Sequence, residues 1–347
     1  MVWRCPLWVP RRPNGITRLL HLASFAMSSL PVLGWQWRWR PELIICIAPA
    51  LFCAPGALVL KQMCGKQTLA WLHIQDFELD AAFELGLLKG KRIRAKAERL
   101  EQWLLESFQR VSSISEAMRE HAIRKGVRKE CAELLPNWVD LNMIYPHAEG
   151  QRLSNPYRRE LGIKCDDLVL LYSGSINQKQ GLELVVQAME LLKDRKELVW
   201  VLGGEGPGKA ALVENTRHLP QVRHVGLQPT DRLNDWLNLA DIHLLPQKAA
   251  AADLVLPSKV LGILASGRPM VAASPLESTL GRLAAQTGRQ VEPGDAQAFA
   301  DAVLELVSNV EDRLTLGAKG RLLAEEKYGL ESTLQRFEQE ALSALCQ

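Results

Sequence analysis

Short β-rich runs alternate with helical stretches along the chain, and no other feature of the sequence narrows the fold as much. Runs that read as strands fall at residues 2–9, 43–47, 68–74, 110–114 and 131–135, then at 168–173, 198–202, 222–227, 241–245 and 269–273. Strands joined by helix-length crossovers lie parallel, and the helices then cover both faces of the sheet. Between the two series, residues 145–157 carry Pro146, Gly150, Asn155 and Pro156 without a long apolar run, which reads as a linker. The expected class is α/β, with two doubly wound, Rossmann-like parallel-sheet domains facing across a cleft. Their expected bounds are 1–150 and 151–330, followed by a C-terminal helix over 331–347.

At 347 residues with 47% hydrophobic and 23% charged side chains, the chain has a globular composition. A net charge of only +3 lacks the basic surplus with which proteins neutralise phosphates, so no nucleic-acid partner is expected. The charge is unevenly spread: residues 1–150 hold 20 basic and 14 acidic side chains, against 22 and 25 in the remainder. The first acid is Glu42, and Arg4, Arg11, Arg12, Arg18, Arg38 and Arg40 precede it. With Trp35, Trp37 and Trp39 set among those arginines, this beginning resembles an interfacial belt suited to an anionic membrane surface. Two uncharged runs, 19–37 and 43–60, are long enough to be tested as membrane spans. Pro31 and Gly34 interrupt the first, and Pro49, Pro55 and Gly56 the second, so each is expected to be a strand and helix rather than a span, with a surface-lying apolar helix the open alternative. The basic segment 89–99 is expected to open a helix with a solvated face. Seven cysteines without a CxxC pair argue against a disulfide framework or zinc site and point to a reducing cytoplasm.

Three loops offer parts of what a diphosphate needs, namely small residues, free backbone N–H groups and a cation. The first is Gly174-Ser175-Ile176-Asn177-Gln178-Lys179-Gln180-Gly181, directly after a strand. The second, Gly203-Gly204-Glu205-Gly206-Pro207-Gly208, places Pro207 in a first helical turn. It is a poor dinucleotide fingerprint, because that motif belongs on the first strand of its domain with an acid about 20 residues on. In the third, Pro257 is expected to start a helix with Ser258 and Lys259 in its first turn. A lysine there has the wrong sign for the helix dipole unless an anion sits beside it.

In order, Y-S-G-S-I-N-Q-K-Q-G-L-E at 172–183, G-G-E-G-P at 203–207, L-A-D-I-H-L-L-P at 239–246 and L-P-S-K-V-L-G-I-L-A-S-G-R-P-M-V-A at 256–272 resemble a known donor-binding domain. It is that of the retaining, two-domain (GT-B) family 4 glycosyltransferases. S-S-I-S-E-A-M at 112–118 and L-L-P-N-W-V-D at 134–140 resemble the end of that family's acceptor domain. V-W-R-C-P-L-W-V-P at 2–10, H-I-Q-D at 73–76 and P-S-K at 257–259 are most similar to the colanic acid biosynthesis glycosyltransferases. The resemblance implies that Gly174, Ser175 and Lys179 meet the donor diphosphate and that Gly203, Glu205, Gly206 and Pro207 shape the nucleotide-sugar cleft. It further implies that Ser258 and Lys259 stabilise the departing phosphate. His73 would lie near the sugar or acceptor, with Asp76 on the acceptor side; His73 and Lys259 are the expected catalytic residues.

The sequence also departs from the family. Two glutamates eight positions apart are replaced by Leu254 and Gly262, which leaves Glu277 or backbone to hold the ribose. Ser175 and Gln180 stand where the family has an arginine and a lysine. The family's first strand and Gly-rich loop have no counterpart, so the acceptor-side domain is expected to be N-terminally truncated. The implied function is hexosyl transfer, with retention, from a nucleotide diphosphate sugar such as GDP-fucose to a lipid-linked oligosaccharide in exopolysaccharide synthesis. The enzyme would be cytoplasmic and peripheral at the inner face of the membrane. No D-x-D pair occurs, so no metal and no cofactor are expected beyond the nucleotide sugar as co-substrate. The alternative expectation is an inactive relative acting as a scaffold; an oxidoreductase is excluded by the placement of the glycines.

Overall fold

The computed structural model describes residues 1–10, 15–48, 51–77, 79–80, 83, 90–177, 180–248 and 257–346. The chain divides into two units, one of residues 1–136 with 335–347 and the other of residues 137–334.

The first unit is built on four parallel strands in the order β1-β2-β3-β4: Leu43–Ala48, Leu69–Ile74, Arg110–Ser113 and Ala132–Leu134. Every residue of β2 is buried, as expected of an inner strand covered on both faces. β1 is outermost, and its Ile45 and Ile47 remain exposed. The helices are α1 (Gly15–Gln36), α2 (Ala54–Cys64), α3 (Lys91–Ser107) and α4 (Glu116–Arg124). Pro55 lies in the first turn of α2, where its missing N–H costs nothing. The Ser115 side chain caps α4 by accepting from Met118 N. In α3, Arg94 pairs with Glu98 on an exposed face, while Leu104 and Leu105 are buried.

Two expectations fail in this unit. Residues 2–9 are not a strand, because Pro6 within the run and Pro10 directly after it have no N–H to give a ladder and the segment bonds to α1 instead. Trp8 N donates to Ser24 Oγ at 2.9 Å and Ser28 Oγ donates to Pro6 O at 2.5 Å. The run 19–37 is one helix, α1, with Pro31 inside it, rather than a strand and a helix. Among the described residues no helix is long and apolar enough to cross a membrane.

The second unit carries six parallel strands, β5 (Leu168–Ser173), β6 (Leu198–Gly203), β7 (Val222–Val225), β8 (Ile242–Pro246), β9 (Met270–Ala273) and β10 (Gly288–Val291). Their order is β10-β9-β8-β5-β6-β7. That is the doubly wound arrangement in which the chain starts in the middle, winds outward one way and returns to wind the other. The crossovers are α5 (Leu182–Leu191), α6 (Lys209–Thr216), α7 (Leu233–Asn238), α8 (Lys259–Ala265) and α9 (Thr279–Thr287). α10 (Ala296–Ser308) and α11 (Val310–Lys327) complete the layers. Apolar side chains fill both faces: Trp200, Phe299 and Val303 lie in one cluster, and Trp236, Leu264 and Tyr157 in the other. α12 (Leu330–Leu345) begins in this unit and continues in the first, where Phe337 meets Trp71 edge-on at 5.0 Å.

Residues 145–157 belong to the body of the second unit. Tyr145 N and His147 N donate to Asn234 Oδ1 and Asn238 Oδ1 at 3.0 and 2.9 Å. Arg152 grips Asp241 with two hydrogen bonds of 2.6 and 3.0 Å. Two prolines, one glycine and the lack of a long apolar run marked this stretch as a linker, yet its side chains dock it, and the division falls at Pro136–Asn137 instead.

Candidate functional site

In sheets of this order, ligands bind beyond the carboxyl ends of the two strands where the winding reverses, here β5 and β8. Beyond β5 the chain turns at Gly174, and hydrogen bonds lash this loop to the one after β6. Gly174 N donates to Gly203 O at 3.0 Å, Ile176 N to Glu205 O at 2.9 Å, and Gly208 N to Ile176 O at 3.0 Å. Glycine is obligatory at 204, where φ is +142° and a Cβ would stand 1.8 Å from Gly174 O. Gly204→Ala is therefore expected to part the two loops and cost about 2 kcal/mol or more of stability, in the range of strained backbone substitutions. A melting temperature equal to that of the parent would show that the loops do not need this contact.

A cavity of about 450 Å³ opens at this end of the sheet, lined by Ser173, Ser258, Lys259 and Gly262 and walled by Trp138, Ile144 and Leu237 among others. The helix that supplies the cation starts at Lys259, with Ser258 at its N-cap and Pro257 one residue outside, slightly later than expected. The Ser258 side chain makes no capping bond. Lys259 as a residue is partly exposed, but its ammonium end is enclosed. It donates to Gln180 Oε1 at 3.0 Å and sits 4.4 Å from the Tyr172 ring centroid. Desolvation lowers its pKa to about 7. Among the described residues no carboxylate pairs with it. Gly174 is adjacent: a Cβ there would lie 3.5 Å from Lys259 Nζ.

The structure thus brings Gly174, Ser258 and Lys259 together at one mouth. Ser175 is exposed next to Gly174, and its carbonyl accepts from the Tyr172 hydroxyl at 2.6 Å. Gly203, Gly206 and Pro207 lie in the lashed loop after β6, with Pro207 ahead of α6 rather than in its first turn, because Gly208 is the N-cap. Glu205 pairs with Lys209 at 2.5 Å on the surface. Glu277 is exposed in the turn before α9 and does not line the cavity. Gly262 does line it, and a Cβ there would come within 3.1 Å of Leu237 Cδ1. Lys179 and Leu254 lie outside the described residues, as do Arg11, Arg12 and Lys89. Sequence reasoning missed Tyr172 and Trp138 as parts of the site; only the position of Tyr172 at the end of a strand could have signalled it.

In the first unit, His73 is the penultimate residue of β2, with both ring nitrogens engaged. Nδ1 lies 2.9 Å from Ser112 Oγ and Nε2 lies 2.8 Å from the Gln75 amide nitrogen. An amide nitrogen can only donate, so Nε2 accepts and the proton resides on Nδ1. Burial lowers the pKa to about 4, and the ring is neutral at ordinary pH. Asp76 is three residues on, partly exposed. Beyond it, Asp80, Glu101, His121 and Lys125 form a compact ion cluster, with Lys125 Nζ at 2.8 Å from Asp80 and 2.5 Å from Glu101.

Residues 167–309 match the family model described as glycosyl transferases group 1, and residues 1–138 match the glycosyl transferase 4-like domain. The chain is 38% identical over 345 residues to the colanic acid biosynthesis glycosyl transferase WcaI of Escherichia coli (strain K12), covering 97% of this chain and 82% of that protein. Among solved structures it is similar to HepE of Anabaena in complex with UDP and glucose. The TM-score is 0.70 at 15% identity, over 90% of this chain and 82% of that one. Sucrose-phosphate synthase from Thermosynechococcus elongatus gives a TM-score of 0.73 at 19% identity, over 98% and 81%.

Proposed function

The chain belongs to the glycosyltransferases that carry these two domains, its fold is of the GT-B type, and on that premise we propose the reaction it performs. It transfers a sugar from a nucleotide diphosphate sugar to a lipid-linked oligosaccharide, with retention at the anomeric carbon, in the assembly of a colanic acid-like exopolysaccharide. The observation that carries this reading is the Lys259 ammonium, held without an acidic partner among the described residues at the reversal point of the second sheet. When the bond from the anomeric carbon to the diphosphate oxygen breaks, negative charge collects on the leaving group. A fixed cation with adjacent backbone donors stabilises that charge most in the transition state. Ser258 and the N–H group of Ser175 are the accompanying donors beside Gly174, and Lys179 is a second cation toward the diphosphate. The loop from Gly203 to Pro207 shapes the nucleotide-sugar cleft. With Gly262 offering no side chain and Glu277 exposed outside the cavity, backbone groups serve the ribose. His73, neutral and held at a strand end, serves the sugar or acceptor, with Asp76 beside the acceptor. The lysine supplies the countercharge that a metal would otherwise bring, so the transfer proceeds without one.

Membrane docking belongs to the same proposal. The first unit exposes Trp3, Trp8, Trp35, Trp37 and Trp39 near Arg38 and Arg40, and no acidic residue precedes Glu42. An apolar groove of about 210 Å³ lined by Leu30, Leu33, Val59 and Met63 adjoins them on α1 and α2. Such a surface suits the inner face of the cytoplasmic membrane, where a lipid-linked acceptor lies.

The test offers the chain a panel of labelled UDP- and GDP-sugars, GDP-fucose first, with lipid-linked acceptor extracted from membranes. Label is expected in the lipid fraction with the donor's anomeric configuration, and the rate is expected to be unchanged in excess chelator. Neither transfer nor hydrolysis from any donor would overturn the proposal, and loss of activity with chelator would overturn its metal-free part.

A further inference from the structure

Two neutral groups hold the Lys259 ammonium, and both are themselves held. Gln180 Oε1 accepts from it at 3.0 Å, and the Tyr172 ring faces it at 4.4 Å. The Tyr172 hydroxyl donates to Ser175 O at 2.6 Å and stands 3.5 Å from Gln180 Oε1. Strand β5, the loop after it and the start of α8 therefore converge on one nitrogen atom. We propose that Gln180 and Tyr172 are positioning residues that aim Lys259 at the donor diphosphate, an inference that rests on the donor reading above.

The choice of neutral holders has a physical reason. A carboxylate at position 180 would cancel the ammonium and compete with the phosphate for it. An apolar side chain would leave an enclosed amine to shed its proton, since nothing would offset its desolvation. An amide oxygen and a π face stabilise the cation while leaving its charge free for an incoming anion.

The charged surroundings are sparse. Tyr172 is the titratable group in contact, and burial raises its pKa so that it stays a neutral phenol. Asp140, on the cavity wall, is occupied in accepting from Asn142 N and Met143 N at 2.9 and 3.2 Å. Asp235 of α7 lies 3.3 Å from His147, and Lys248 and Glu183 pair with each other at 3.1 Å. None of these offsets the desolvation that brings Lys259 to about 7. Diphosphate binding must then recruit a proton to the amine at higher pH. Affinity is full below about pH 7 and falls as pH rises above it, because the bound anion raises a pKa that is low in the free protein.

Calorimetric titration of the full chain with UDP and with GDP between pH 6 and pH 8, in buffers of different ionisation enthalpy, reads this directly. The parent is expected to take up protons on binding at pH 8, and Lys259→Met to take up none. Gln180→Met removes the carbonyl at nearly constant shape, so less stabilises the cation. Its affinity is expected to be about tenfold below the parent at pH 8 and only about twofold at pH 6, as follows when the amine sheds its proton roughly one pH unit sooner. Tyr172→Leu should behave like Gln180→Met, whereas Tyr172→Phe, which keeps the ring, should track the parent. The double variant Lys259→Met with Gln180→Lys brings an ammonium to the same point from the other side and should regain part of the affinity. Parallel pH profiles for the parent and Gln180→Met would overturn the inference alone. Failure of the parent to bind either nucleotide at any pH would overturn the donor reading, and this inference with it.

Discussion

Lys259→Met is expected to lower kcat for sugar transfer by roughly two to three orders of magnitude while leaving the fold intact. That range is what removal of one preorganised donor facing a developing anion costs in an enclosed site, on the order of 3–4 kcal/mol of transition-state stabilisation. The fold should survive because the buried side of α8 is carried by Val260, Leu261, Ile263 and Leu264, and the methionine retains the length of the stem. Loss of a buried, acid-free ammonium removes a desolvation cost, so the melting temperature should hold or rise. Lys259→Arg should recover little, since a planar guanidinium does not fit the cradle of Gln180 and Tyr172 as a compact ammonium does. The comparison is made by steady-state kinetics with thermal melts of each variant. A variant within threefold of the parent in kcat would remove Lys259 from the chemistry.

The second large effect is expected at the membrane. Replacing Arg38 and Arg40 by glutamate, with Trp37 and Trp39 changed to alanine, should cut binding to vesicles containing anionic lipid by at least thirtyfold. Each arginine near such a surface contributes about 1 kcal/mol, and its reversal adds repulsion. Trp39 is 76% exposed, an arrangement that gains nothing from the protein itself. The turn at the end of α1 adds a backbone observation: Arg40 has φ +49°, a left-handed conformation that glycine would adopt more cheaply. An arginine in that conformation accords with a use for its charge. Binding should also weaken as salt rises. The same variant should still bind UDP or GDP with the parent's affinity, because the residues proposed to meet the diphosphate, Gly174, Ser175, Ser258 and Lys259, all belong to the second unit. Equal sedimentation of parent and variant with anionic vesicles, or equal binding of the parent to neutral and anionic ones, would contradict the docking proposal.

Much of the fold was legible because buried parallel strands write themselves as continuous apolar runs. The stretch Leu168–Ser173 is all but pure Leu, Val and Tyr, and it is the inner strand β5. The strand Gly288–Val291 was not legible, because it offers one aliphatic residue in four and sits at a sheet edge, where its neighbour supplies the pattern. Residues 2–9 misled in the opposite sense: β-prone composition is necessary for a strand but does not supply a partner, and α1 took the available hydrogen bonds. The segment 145–157 looked like a linker because docking by Asn234, Asn238 and Asp241 is a long-range property. At the site, Gly174, Ser258 and Lys259 were legible from loop chemistry and helix polarity, and the resemblance to a family ordered them. The cradle was not, since Gln180 and Lys259 stand 79 positions apart and only the reversal of winding brings them into contact.

The most direct test of the central claim, that this chain receives its donor diphosphate at the β5–β8 reversal point, is a crystal structure with UDP or GDP bound. The expected result is diphosphate oxygens within hydrogen-bonding distance of Lys259 Nζ and of the backbone N–H group at Ser175, over Gly174. A fully occupied diphosphate bound elsewhere, with Lys259 still held only by Gln180 and Tyr172, would contradict it.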